Sequence, residues 1–177
     1  MAGQRLTDKT AMDSQAGSGD LLMVVDVSDT SSSAEGTSKK MDFKYVIQTD
    51  KISVSNAEIQ ALDTTPKTLV GALSGYIITP ICATVLVTYA ASTDSANKNL
   101  YFGYDDSNDY YKWDVSERFM SGDTTDNSYV FGGNMPSRYP VRKSSILNAP
   151  FIIWSNGAFN GGFTMDVYIT YSYTKVL

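Results

Sequence analysis

Apolar and polar positions alternate most cleanly near the end of the chain. In Phe163 to Leu177 (FTMDVYITYSYTKVL) the odd positions Phe163, Met165, Val167, Ile169, Tyr171 and Tyr173 are apolar or aromatic. The even positions Thr164, Asp166, Thr170, Ser172 and Thr174 are polar, and only Tyr168 breaks the pattern. Successive strand side chains point to opposite faces, so this period of two predicts a half-buried β-strand. Val, Ile, Thr and Tyr suit its pleated surface. At about 3.3 Å per residue the alternation spans roughly 36 Å, long for a strand. A strand of that length needs neighbours on both sides, which predicts the centre of a β-sandwich or barrel.

Upstream, a polar opening with one short helical stretch at Thr7 to Met12 leads through Gly19-Asp20 into a first strand, Leu21 to Val27 (LLMVVDV). Ser28 to Lys40, rich in Ser, Thr and Gly, predicts a flexible loop, and Met41 to Ile47 (MDFKYVI) a second strand. Two strands joined by a long polar loop are too small to be stable alone, so this hairpin needs an outside surface. Gln48 to Val54 reads as a connection. Ser55-Asn56-Ala57-Glu58 fits a capping box opening a single helical turn. Short strands follow at Thr68 to Val70 and Tyr76 to Ile78. Ile81 to Tyr89 is apolar on both faces, as where two sheets or subunits enclose a strand.

Asn99 to Tyr104 and Tyr110 to Val115 predict strands about the turn Asp105 to Asp109. Ser121 to Ser128 reads as a polar loop, Tyr129 to Phe131 as a strand, and Asn134 to Lys143, with Pro136 and Pro140, as irregular chain. Phe151 to Trp154 is expected to pair with the last strand across the glycine-rich turn SNGAFNGG. Many short strands with almost no helical period predict an all-β fold. The expected architecture is an antiparallel, jelly-roll-like β-sandwich over residues 51–177, preceded by a small β-hairpin segment over residues 1–50.

Composition narrows the chemistry. With 42% hydrophobic and 19% charged residues the chain is globular rather than disordered. A net charge of −5 opposes binding to a phosphate backbone, so no nucleic-acid partner is expected. The first twenty residues hold no apolar core of a secretory signal, and the run Ile77 to Ala90 is too short to span a bilayer, so neither export nor membrane insertion is expected. One cysteine, Cys82, excludes an intrachain disulfide and a multi-thiolate metal site; its apolar neighbours predict a buried small hydrophobe. The absence of histidine removes the commonest general base and metal ligand, and with it Ser–His and Cys–His nucleophile systems.

Carboxylates cluster at Asp105, Asp106, Asp109, Asp114 and Glu117, but in a turn and its flanks beside Lys112 and Arg118, where a solvated turn is the ordinary reading. The spacing and glycine of an EF-hand are missing, and nothing sets two carboxylates across a cleft as a glycosidase needs. No enzyme, metal or cofactor is expected. For ligand binding the candidates are Tyr104, Tyr111 and Trp113 with Asp105 and Asp109, since aromatic faces stack on sugar rings while carboxylates accept from hydroxyls. The competing reading of the same aromatics is core on one face and subunit interface on the other, and Trp154 is read as core. Lys39 and Lys40 either meet an acidic docking surface or keep a hairpin edge soluble.

Several short runs, taken in order, carry a resemblance. Val54-Ser55-Asn56-Ala57-Glu58-Ile59-Gln60-Ala61-Leu62 followed by Thr65-Pro66-Lys67-Thr68-Leu69-Val70 resembles the opening of a β-sandwich domain in virion proteins of tailed bacteriophages. Gly71 to Tyr89 resembles its continuation, and Asn148 to Tyr173 its close. "TDKTA", "GDLLMVVDVSD" and "GTSKKMDFKYVI" are similar to fibre-attachment segments. Together these cover most of the chain; Tyr101 to Pro140 has no counterpart. The resemblance implies a virion protein of head or tail, made in the host cytoplasm and usually trimeric. Residues 1–50 would dock on other virion proteins, with Leu21, Met23, Val25, Lys39, Lys40, Phe43 and Tyr45 as docking candidates. The sandwich would project, with host-surface adhesion as its role. The alternative reading is a carbohydrate-binding module for host-surface glycans.

Overall fold

A computed structural model of the chain describes residues 21–31, 34, 36–42, 46–104, 112–132 and 143–176. The chain divides into two compact units, Met1–Val46 and Ile47–Leu177.

The first unit contains a two-stranded antiparallel sheet, β1 (Leu21–Asp26) on β2 (Thr37–Asp42), in a register running from Leu21↔Asp42 to Asp26↔Thr37. The second strand therefore starts earlier than the alternation of Met41 to Ile47 predicts, inside the expected loop. Gly36 is one reason. Its φ is +116°, and an added Cβ would lie 2.8 Å from the Asp26 carbonyl oxygen, so only glycine turns the chain back this tightly. Lys39 is the other, because its ammonium bridges Asp26 (2.7 Å) and Asp29 (2.9 Å) and ties β2 to the start of the turn.

The second unit is an antiparallel β-sandwich of two four-stranded sheets, as the alternation predicts. One sheet has the order β3 (Gln48–Val54), β10 (Phe163–Lys175), β5 (Tyr76–Tyr89), β8 (Asn127–Gly132). The other runs β4 (Lys67–Val70), β9 (Phe151–Ser155), β6 (Leu100–Gly103), β7 (Lys112–Ser116). The long alternating strand β10 is central, with Val167 opposite Ile52 on one side and Val85 on the other. Val85, Val167 and Ile169 of the first sheet and Leu100, Phe102 and Ile153 of the second belong to one fully enclosed core. Burial of such side chains is worth about 1.5–3 kcal/mol each, the main term holding the layers together.

Four expectations are corrected. Gln48 to Val54 is a strand, not a connection: it pairs along β10 and is fastened by Thr49–Thr170 hydroxyls at 2.8 Å and by Ser53 donating to Asp166 at 2.6 Å. The segments Tyr76 to Ile78 and Ile81 to Tyr89 are one strand. Pro80, which has no N–H, falls where the register shifts by one residue against Thr170 and Tyr171 and where the β8 ladder, ending at Cys82↔Gly132, no longer asks for a donor. Cys82 is half-buried rather than buried, because Ala83, Val85 and Val87 take the inward positions of β5.

The fourth correction concerns β9. It pairs with β4 and β6, not with β10 (Ile153 lies opposite Lys67 and Phe102). The glycine-rich SNGAFNGG segment therefore crosses between the sheets. It does so because Phe159 is drawn into the core, 3% exposed, which holds the loop away from a two-strand return.

The helical turn α1 (Asn56–Gln60) forms with the expected capping box: Ser55 accepts from the Glu58 N–H, and Glu58 Oε2 accepts from Ser55 N at 2.9 Å. Ile59, buried beneath it, anchors the turn to the sandwich. A second short helix, α2 (Lys143–Ile146), precedes β9. Hydrogen bonding by Lys67, then by the Ser55 backbone and hydroxyl, lowers the Glu58 pKa from 4.5 to about 2. A depressed carboxyl stabilises fully above its unfolded value and loses that contribution as pH falls through the folded one. Glu58→Ala is therefore expected to cost about 1 kcal/mol at pH 7, a cap-sized loss for a solvent-screened group. In urea unfolding the difference from wild type should shrink between pH 4.5 and 2; a constant gap would show that the charge is idle.

Candidate functional site

Five of the docking candidates, Leu21, Met23, Val25, Lys39 and Lys40, lie on the two strands of the hairpin. Alternation in β1 sends Met23 (65% exposed) and Val25 (58%) to one face, while Leu22 and Val24 on the other are only half-buried; Val27 beyond the strand is 75% exposed. Leu21 pairs by backbone with Asp42. Phe43 and Tyr45 lie outside the described residues. An open groove of about 360 Å³ is lined by Leu22, Met23, Ser38, Lys39 and Lys40.

The two lysines have different electrostatics. Lys39 is committed internally: its hydrogen bond holds the Asp26 carboxyl far below the usual range. Asp29 is lowered to about 2, first by the Ser31 hydroxyl and then by Lys39, whose own pKa rises in return. Lys40 lies opposite Met23 in the ladder and is exposed, with no ion-pair partner among the described residues. Among its described residues the hairpin thus presents apolar side chains beside one unpaired cation, Lys40, a surface suited to an apolar groove edged by a carboxylate.

Of the ligand candidates, the two that are described, Tyr104 and Trp113, face the core. Trp113 is 5% exposed and stands edge-on to Phe151 at 5.8 Å, so its ring belongs to the core and offers no face to a sugar. Tyr104 packs edge-on against Phe151 at 5.3 Å and donates its hydroxyl to the Ile78 carbonyl; burial pushes its phenol pKa strongly up. Both therefore follow the core reading of this aromatic stretch. Asp105, Asp109 and Tyr111 lie outside the described residues. On the opposite side of the same sheet, Tyr101 and Trp154 stack at 5.7 Å with an interplanar angle of 37°. Lys112 sits 3.8 Å over the Tyr101 ring. At 8% and 5% exposure neither ring is open to a ligand.

Asp94 is the polar residue that sequence reasoning missed. It is 2% exposed, and its carboxylate accepts from the backbone N–H groups of Ala96 (3.0 Å), Asn160 (2.8 Å) and Gly161 (3.0 Å). Its carbonyl accepts from Gly122 N at 2.9 Å. Three loops at one end of the sandwich are thereby fixed to each other. A signal was present in Ser92-Thr93-Asp94-Ser95-Ala96-Asn97, because an Asp bonding the N–H two residues on is the ordinary Asx-turn. Among the described residues, no group of three or more His, Cys, Asp or Glu side chains is placed to hold a metal ion, and no helix is long and apolar enough to cross a membrane.

No protein-family model and no curated protein matches the chain. Among solved structures, the cyanophage Pam1 capsid asymmetric unit is similar over 97% of this chain and 97% of that chain, with 11% identity and a TM-score of 0.41. A likeness at that score fixes neither fold nor role.

Proposed function

We propose that this chain is a non-enzymatic structural component of a tailed-phage particle: an oligomeric, trimeric fibre or decoration subunit of head or tail. Residues 1–50 dock on other virion proteins, and the β-sandwich is displayed for host adhesion. The observation that carries the reading is the two-stranded hairpin, which exposes Met23, Val25 and Val27, a surface that a partner would cover. The run of similarities to phage virion proteins in the sequence supports the same direction.

The test is co-sedimentation of the purified full chain with phage particles assembled without it. Wild type is expected to pellet with the particles, and the double variant Met23→Lys/Val25→Lys to lose at least tenfold of that binding while its sandwich melts unchanged. Equal binding by both proteins, or none by wild type, would count against the proposal. A glycan-binding role would have to rest on Tyr111, Asp105 and Asp109, because Trp113 is enclosed.

A further inference from the structure

We propose that Asn156 is a site of spontaneous covalent modification, in which its side-chain amide is lost and a carboxylate takes its place, while a second copy of the same dipeptide is protected. The chain contains Asn-Gly twice, at Asn156-Gly157 and Asn160-Gly161, both in the crossover segment and both with the asparagine exposed. Glycine carries no side chain to obstruct its backbone nitrogen, so that nitrogen can attack the Cγ of the asparagine before it. The N–Cγ bond forms as the glycine N–H proton passes to solvent. The Cγ–Nδ2 bond then breaks, and Nδ2 takes up a proton from solvent and departs as ammonia. One water molecule opens the resulting cyclic imide at either carbonyl, giving aspartate or its backbone-lengthened isomer, isoaspartate.

The surroundings of the two pairs are alike at the carbon attacked. Asn156 Oδ1 accepts from Asn99 N at 2.8 Å, and Asn160 Oδ1 from Ser95 N at 2.9 Å. Such a donor stabilises the oxyanion that forms at Cγ, and it serves both sites equally. The attacking nitrogens differ. Gly161 N–H donates to Asp94 Oδ2 at 3.0 Å, and that carboxylate is 2% exposed. Removing the proton would break a charge-assisted bond and set a nitrogen anion against a buried carboxylate. The leaving group is held as well, since Asn160 Nδ2 donates to Ser95 Oγ at 3.1 Å.

Gly157 has neither restraint. Among the described residues its N–H has no hydrogen-bond partner. A Cβ added at Gly157 would lie 3.0 Å from Lys98 Nζ, so an ammonium stands beside the residue that must give up its amide proton, and a nearby cation favours that loss. The product matters to the fold at one place. Asn156 N donates weakly to the Asn99 carbonyl at 3.4 Å, just beyond the Leu100↔Ser155 end of the β6–β9 ladder. Isoaspartate would insert a methylene there, and either product adds a negative charge.

The experiment ages the full chain in mildly alkaline buffer, once folded and once in urea. Peptide mass spectrometry follows both asparagines, with fragment ions that separate them. In the folded protein Asn156 is expected to convert at least about tenfold faster than Asn160, the factor that one hydrogen bond to a charged group corresponds to. In urea the two rates should converge, because only the fold tells the pairs apart. Lys98→Met keeps an unbranched chain over Gly157 without its charge, and should slow Asn156 about threefold while leaving Asn160 unchanged. Folded-state rates closer than tenfold, no conversion of Asn156 in the folded protein, or a preference that persists in urea would overturn the inference. An Asn156 rate untouched by Lys98→Met would overturn the part given to the ammonium. None of these outcomes bears on the virion role.

Discussion

Asp94→Ala is expected to destabilise the sandwich by about 3–5 kcal/mol, a large share of the stability of an ordinary domain. The carboxylate sits at 2% exposure and satisfies three backbone N–H groups from two loops. Each orphaned buried donor costs about 1–3 kcal/mol, and admission of water to the vacated space keeps the sum below the arithmetic maximum. Asp94→Asn should recover less than half of the loss, since one of its amide faces turns N–H groups toward N–H groups. Urea unfolding at pH 7 gives both numbers. A cost below about 1 kcal/mol for the alanine variant would mean that the loops hold without the carboxylate.

Phe119→Ala should cost a similar amount, about 3–5 kcal/mol, the usual range for removing a buried aromatic ring. Phe119 is fully buried, and its ring meets Tyr129 at 5.1 Å, Phe159 at 5.7 Å and Phe163 at 5.8 Å. These partners come from β8, the crossover loop and the start of β10, so the vacancy would open between elements that cannot all close in. Phe119→Leu, which keeps most of the volume, is expected to lose only about 1–2 kcal/mol. The Asp94 and Phe119 effects should fall short of additivity. A Cβ on Gly161 would lie 2.8 Å from Phe163 Cε1 and 2.9 Å from Asp94 Cβ, so the two regions touch through that glycine. Strict additivity in the double variant would show them to be independent.

How far the chain could be read in advance depended on whether local pattern and tertiary pairing agreed. β10 was legible because its alternation survives burial, and the same alternation called for its central place. β3 was not, since two residues on the side of the strand that Val54 buries, Gln48 and Asp50, are polar, the first buried and the second exposed. They are accommodated by the Tyr171 hydroxyl, at 2.9 Å from Gln48 Oε1 and 2.7 Å from Asp50 Oδ2, more than a hundred residues away in the chain. The partner of β9 was misread because a glycine-rich segment looks alike whether it reverses a hairpin or crosses between layers. Phe159 and the Asp94 contacts decide for crossing, and neither is a local signal. For the candidate ligand residues the limit was of another kind. A run of Tyr and Trp at strand spacing suits a core and a sugar platform equally, and only the register that sets Trp113 opposite Phe102 places it inside. Lys39 likewise reads in the sequence as a docking charge or as one that keeps a hairpin edge soluble, and only the turn brings two carboxylates to it.

The central position of β10 also bears on how the protein is made. Its neighbours β3 and β5 are synthesised long before it, and Val54 must wait for Met165 before that side of the sheet can zip. Ribosomes add about 5–20 residues per second, so for several seconds the nascent chain carries two long strands whose shared neighbour does not yet exist. Pairings this distant also slow folding itself. The unpaired strand edges in that interval are where chaperones, or misassociation between nascent chains on one polysome, would act first.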